Sequence, residues 1–451
     1  MIQEFQQKLE NYAELLIKVG LNLQKGQHLS IQAPLSTASF VKIVARKAYE
    51  AGAAIVLPEF YDEEFKKIRI EHSNEEFLEV YPEWKAKGMI EFAEQNGALL
   101  NLIAPNPSIL KNSDPAKVAA LNKAAAIATK DFSAYIGGGK INWLIAAHPS
   151  DEWAESVFPE LDKEKALDEL WKNIFYTTRA DQDDTVGLWK DHIASLNTHA
   201  DRLNSQDLRL LHYKGPGTDL TIELHPETQW LSAEFTSDTG TKFVPNLPTE
   251  EVFTIPVKDG VNGIVSSTKP LNYGGTIIKD FSLTFKDGKV VDFSAEEGYE
   301  TLKNLLDLDE GARHLGEVAL VPHDSPISNT NVVFNNTLFD ENASCHLALG
   351  RALQVCVKDG NGRSQDELAD IGFNQSGTHV DFMIGSGELS IEGTKADGTK
   401  VSIFEKGIGQ NKFCLPPMTQ QIQKTRLDAG LFMSRCTLAL VILDLIHRQM
   451  V

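Results

Sequence analysis

QHLSIQAPLSTASFVKIVARKAYEAGAAIVLP, residues 27–58, decides the fold of the first half of the chain. Residues 27–32 alternate as a short strand, residues 36–51 carry apolar side chains at helical spacing, and residues 53–58 form a second apolar run of strand length. Strand, helix and strand in that order make a parallel crossover unit. The pattern continues outward from there. An amphipathic helix precedes it, through Leu15, Leu16 and Val19. Helical segments follow at Glu63–Arg69 and Glu83–Gln95, then a strand at Ala98–Ala104, an Ala-rich helix at Pro115–Ser133 and a strand at Asn142–Ala147. The expected fold class for residues 1–200 is therefore an α/β N-terminal domain built on an open, mostly parallel sheet. No GxGxxG follows its first strand, where a dinucleotide fingerprint would lie. Gly137-Gly138-Gly139-Lys140 precedes Ile141 and a strand rather than Ser or Thr and a helix, so it reads as a turn and not a phosphate loop.

A helical stretch from Asp162 to Leu203 bridges to a different texture. Lys214–Asp219 is a turn followed by the alternating Leu220–Leu224, and Phe281–Phe293 is a hairpin folded at Asp287-Gly288. Gly387–Glu392 and Lys400–Phe404 form a further strand pair around Asp397-Gly398, while helices are expected at Ala295–Leu306 and Asn342–Val355. Residues 201–410 thus read as an α+β C-terminal domain rich in antiparallel strands. Residues 411–451 form a tail whose Leu427–Gln449 is an apolar helix or a segment without a stable place.

Composition narrows the function. A formal net charge of -20 at pH 7 opposes nucleic acid as a partner, since phosphate binding needs a basic face. Cys345, Cys356, Cys414 and Cys436 lack CxxC spacing, which leaves neither a zinc ribbon nor a disulfide framework and fits a reducing cytoplasm. The N-terminus has no basic start before an apolar core, and the most apolar stretch, Cys436–Ile446, falls short of the roughly 20 residues that span a bilayer. A soluble protein with no membrane partner is expected.

The chemistry concentrates between Glu317 and Asp381. In THVDFMIGS, His379 and Asp381 are two apart in a β-like run, so both leave the same face of a strand and can meet one ion. In LFDENASCHLALG, Glu341 stands at the start of the expected helix and His346 one turn into it. Glu317 begins the apolar strand of LGEVALVP. Each residue alone has an ordinary explanation: His346 as a satisfied core histidine, Glu317 as a strand-end surface charge. Their joint occurrence, with a further candidate at Glu251, points instead to a site for divalent metal. Carboxylates and imidazoles without paired thiols suit Zn, Mn or Co.

NLPTEEVFTIP, LGEVALVP, LFDENASCHLALG and THVDFMIGS, in this order, resemble segments of the M29 metallo-aminopeptidases, the aminopeptidase T and aminopeptidase S group. The resemblance spans roughly residues 1 to 408 and includes an IxxxPSxxWAxxVFP segment at Ile145–Pro159. It implies two divalent ions held by Glu251, Glu317, Glu341, His346, His379 and Asp381. Alternation in an extended segment lets only one of Glu250 and Glu251 line the site, and the family motif selects Glu251. The implied activity is release of N-terminal residues from small peptides by a homodimer. Glu251 or Glu317 would bridge the ions, which activate a water, and Glu317 or Glu341 would carry the proton. The alternatives are another metal-dependent hydrolase with the same ligands, or a metal-binding homologue with weakened catalysis. Two departures bear on this: Leu353 occupies the position of a family tyrosine, expected on the same helix face as His346, and the tail extends beyond the usual family end.

Overall fold

The computed structural model describes residues 2–410 apart from 107–108, 111 and 274–275, so the expectations for Cys414, Cys436 and the tail lie outside the described residues. Strands His28–Pro34, Ile55–Tyr61, Ala98–Ile103 and Trp143–Ala147 form the parallel sheet expected of the first half. The N-terminal helix Ile2–Leu15 closes onto it through Tyr12, which stacks on Phe40 and donates its hydroxyl to Ala147 O at 2.8 Å. The Ala-rich helix expected over 115–133 is instead two, Pro115–Ala128 and Lys130–Gly137, and Gly139 sits at φ 64 in the turn that follows.

The second half contributes two large antiparallel sheets, besides two two-stranded ribbons. One has eight strands and includes the expected hairpin, Ser282–Lys286 with Lys289–Ser294, and the expected pair, Ser390–Lys395 with Lys400–Glu405. The other has five, in the order His379–Met383, His346–Gly350, Leu315–Leu320, Val252–Thr254 and Leu231–Ser232. A connection between halves matters for the site. Asn246–Leu247 adds a fifth, parallel strand to the N-terminal sheet beside Trp143–Ala147, and the chain then enters the five-stranded antiparallel sheet at Val252. Residues 248–251 span the two sheets.

The helix expected over Asn342–Val355 is not formed. A helical turn at Thr337–Asp340 and a 3-10 turn at Glu341–Ala343 lead directly into strand His346–Gly350. All five residues of that strand are buried between two neighbouring strands, and a strand buried on both faces reads as a continuous apolar run with no alternation to reveal it. Cross-strand pairing overrides the helical propensity of Leu347, Ala348 and Leu349, which is worth only tenths of a kcal/mol per residue.

Candidate metal centre

Register in the five-stranded sheet places the site residues. Glu317 lies opposite Ala348, which lies opposite Asp381, and His379 lies opposite Gly350. Because side chains alternate along a strand and directly opposed residues share a face, Glu317, His346, His379 and Asp381 all project to one side. Phe253 lies opposite Ala319, so Glu251, two residues earlier, belongs to the same side and Glu250 to the other. Sheet geometry therefore gives an independent reason for choosing Glu251 over Glu250.

Two groups of ligand atoms result, with all atoms of each within 4.8 Å of one another: Glu251, Glu317 and His346, and Glu317, His379 and Asp381. Glu317 belongs to both. His346 Nε2 is 3.0 Å from Glu251 and 3.8 Å from Glu317, while His379 Nε2 is 3.2 Å from Glu317 and 3.5 Å from Asp381. The far nitrogen of each ring meets a backbone carbonyl: His346 Nδ1 with Ser344 O at 3.2 Å, His379 Nδ1 with Arg351 O at 2.7 Å. An Nδ1–H donated to a carbonyl orients the ring and directs the Nε2 lone pair at an ion, as metal-ligating histidines are commonly held.

Electrostatics favours a cation here. Burial alone would lower the pKa of His346, but its hydrogen bond to Glu251 and the charges of Glu251, Asp381 and Glu341 outweigh that and raise it to about 10. Burial opposes the charged form of His379 too, yet Asp381 and Glu317 lift it well above the usual imidazole range. Burial drives Glu317 above the ordinary carboxylate range, only partly offset by His379. For Asp381 burial pushes upward, but the two imidazoles win and its pKa falls. Buried carboxylates that hold their histidines protonated are a charge cluster that divalent ions can neutralise in place of protons. The residues present fit such ions.

Glu341 is placed differently. It is buried in the 3-10 turn beside the centre, outside both ligand groups, and its Oε1 accepts from Asn342 Nδ2 at 3.3 Å. Burial first, then the charges of Asp381 and Glu251, raise it well above the carboxylate range. The turn is anchored from two directions. Asp340 accepts the backbone N–H groups of Phe334 and Asn336 at 2.9 and 3.1 Å, and buried Trp153, from the WAxxVFP segment, donates its indole N–H to Phe334 O at 2.6 Å. Leu353 does not stand two helical turns beyond His346; it is an extended residue in the loop after the strand, and it still lines the cavity. Asn342 and His192, unmarked in the sequence, pack behind the centre, and Arg179, which the helical pattern of residues 162–203 places on a wet face, is instead buried there against Glu250. The adjacent carboxylates Glu250 and Glu251 held the available signal, because one of them had to find a buried partner elsewhere.

A cavity of about 600 Å³ opens over the cluster, walled by Ile103, Trp143, Ile145, Phe235, Phe253 and Leu353. Among the described residues, neither Lys nor Arg lines it. No helix of the described residues is long and apolar enough to cross a membrane.

Buried carboxylates and imidazoles gathered at the floor of an apolar cavity are the donor set of a metal-dependent hydrolase. The chain belongs to the family described as thermophilic metalloprotease (M29), which matches residues 5–408. Aminopeptidase 2 of Geobacillus stearothermophilus is 49% identical over 406 residues, covering 90% of this chain and 98% of its own. Aminopeptidase AmpS of Bacillus subtilis is 46% identical over 406 residues, covering 90% and 99%. The solved structure of wild-type AmpT from Thermus thermophilus superposes with a TM-score of 0.85 at 39% identity, covering 90% of this chain and 99% of that one.

Proposed function

We propose that this metal-dependent aminopeptidase works with two divalent ions, one in each group of ligand atoms, and that Glu317 is the carboxylate they share. The observation that carries the reading is the overlap of the two groups at Glu317. Glu251 and His346 complete one site, His379 and Asp381 the other. Divalent ions bound there supply Lewis acidity, making water a nucleophile near neutral pH and polarising the scissile carbonyl. Zn, Mn and Co all accept this donor set.

The chain's own residues supply the rest. Glu341, outside both groups and held by Asn342, takes the proton of the attacking water and delivers it to the leaving amine. The carboxylate-rich floor suits the free α-amino group of a peptide, and without Lys or Arg among the described lining residues the cavity offers no cationic partner to a peptide's C-terminal carboxylate. The apolar walls exclude water and enclose the first side chain. Small peptides read from the N-terminus are the substrates this arrangement favours. Hydrolysis of aminoacyl p-nitroanilides that stops with chelator and returns with metal tests the reading; phosphoester hydrolysis instead would support a different metallohydrolase.

Leu353 removes a hydroxyl from the cavity wall. If no other donor serves the developing oxyanion, Leu353→Tyr raises kcat toward about 10²-fold, the scale of one such hydrogen bond. Steady-state kinetics on leucine p-nitroanilide checks this, and an unchanged kcat assigns the role to another group.

The proposed assembly is a homodimer. The edge strand and helices of the N-terminal half expose Phe60, Phe65, Ile68 and Trp84, the last at 76%. Exposed apolar side chains of this kind suit a subunit interface. Sedimentation at micromolar concentration should give a mass of twice 49.9 kDa, and a monomer throughout would refute the dimer.

A further inference from the structure

Asn342 is wholly buried in the turn that carries Glu341, and its amide uses all its hydrogen-bonding groups. Its Oδ1 accepts the backbone N–H of Glu250 at 2.8 Å, and its Nδ2 donates to Leu338 O at 3.1 Å and to Glu341 Oε1 at 3.3 Å. The Glu250 N–H fixes which end of the amide is oxygen. One side chain thereby joins the segment presenting Glu251 to the carboxylate of Glu341.

The same segment is braced from behind. Glu250 turns away from the metal centre and meets Arg179 Nη2 at 2.9 Å and His192 Nε2 at 3.3 Å, all three residues being buried. His192 Nε2 also reaches Thr249 O at 2.9 Å, and the Arg179 guanidinium lies 4.8 Å over the Trp189 ring. A buried ion pair is a poor source of net stability, since desolvation offsets most of the attraction and apolar packing would serve as well. Its placement on Glu250, next to Glu251, fits a role in position. Between this brace and Asn342, the backbone that carries Glu251 is held on both sides.

We propose that Asn342 is a positioning residue that sets Glu251 through the Glu250 backbone and Glu341 through its carboxylate, so that ligand geometry and proton transfer are fixed by one amide. The two connections can be separated. Asn342→Ala removes both, whereas an ionised Asp in Asn342→Asp keeps an acceptor for the Glu250 N–H and loses the donors to Glu341 and to Leu338 O. The inference rests on the aminopeptidase reading, so the parent protein is measured beside the variants, with Co2+ as the probe and its visible absorption as a readout independent of turnover. The folded Ala variant is expected to bind Co2+ about 10–100-fold more weakly than the parent, the usual effect of losing a group that orients metal ligands. The Asp variant is expected to bind Co2+ within about threefold of the parent but to lose about tenfold or more in kcat at unchanged KM, as a misplaced general base would. A merely structural role would lower the melting temperature and leave Co2+ affinity and kcat of the folded protein unchanged, and that result overturns the proposal. Should the Ala variant not fold, an unchanged kcat in the Asp variant overturns it equally. A parent that neither binds Co2+ nor hydrolyses leucine p-nitroanilide defeats the aminopeptidase reading, whereas a working parent with unaltered variants defeats this inference alone.

Discussion

Glu317→Ala is expected to reduce kcat/KM by at least about 10³-fold while leaving the fold in place, because a shared ligand anchors several kcal/mol of transition-state stabilisation. Glu317 is the one residue common to both groups of ligand atoms, on a central strand of the metal-site sheet. Its loss leaves Glu251 with His346 on one side and His379 with Asp381 on the other, two incomplete sets. The fold should tolerate the change. The strand is held by its neighbours on both sides, and burial together with the charges of Asp381 and Glu251 opposes ionisation of Glu317 in the absence of metal. Circular dichroism and thermal unfolding would establish folding, and leucine p-nitroanilide hydrolysis the loss. Activity within tenfold of the parent would remove Glu317 from its central role.

Glu341→Gln should lower kcat by about 10²–10⁴-fold, the range for a lost general acid–base group, with KM and metal content close to the parent's. Glutamine keeps the size of the side chain and an oxygen for the Asn342 amide, so what disappears is the capacity to carry a proton. The split between kcat and metal content is the informative part. A variant that loses metal along with activity would make Glu341 a ligand rather than a proton carrier.

Much of this architecture was legible in the residues. The parallel half follows from apolar runs of strand length separated by helical periodicity, as in residues 27–58. The shared face of His379 and Asp381 follows from their spacing of two, a local property of any strand. His346 reads as helical in the sequence for a reason that is not local. Its strand is buried on both faces, so Ala and Leu appear without alternation and imitate a helix, and pairing with Leu315–Leu320 and His379–Met383 decides the outcome. Tertiary pairing of this sort has no local signature. Nor does the overlap at Glu317, which depends on the register of four strands from separate parts of the chain. Arg179, expected on a wet face, and His192 escape the sequence for a related reason: they come from the 163–204 helical region, and nothing in that region announces the buried Glu250 that they meet.

The most direct test of the shared-carboxylate centre is a titration of chelator-treated protein with Co2+, following bound metal and leucine p-nitroanilide hydrolysis together. Two ions bound per chain, with full activity reached only at the second equivalent, is the predicted result. Full activity at one equivalent, or in the protein stripped of metal, would contradict it.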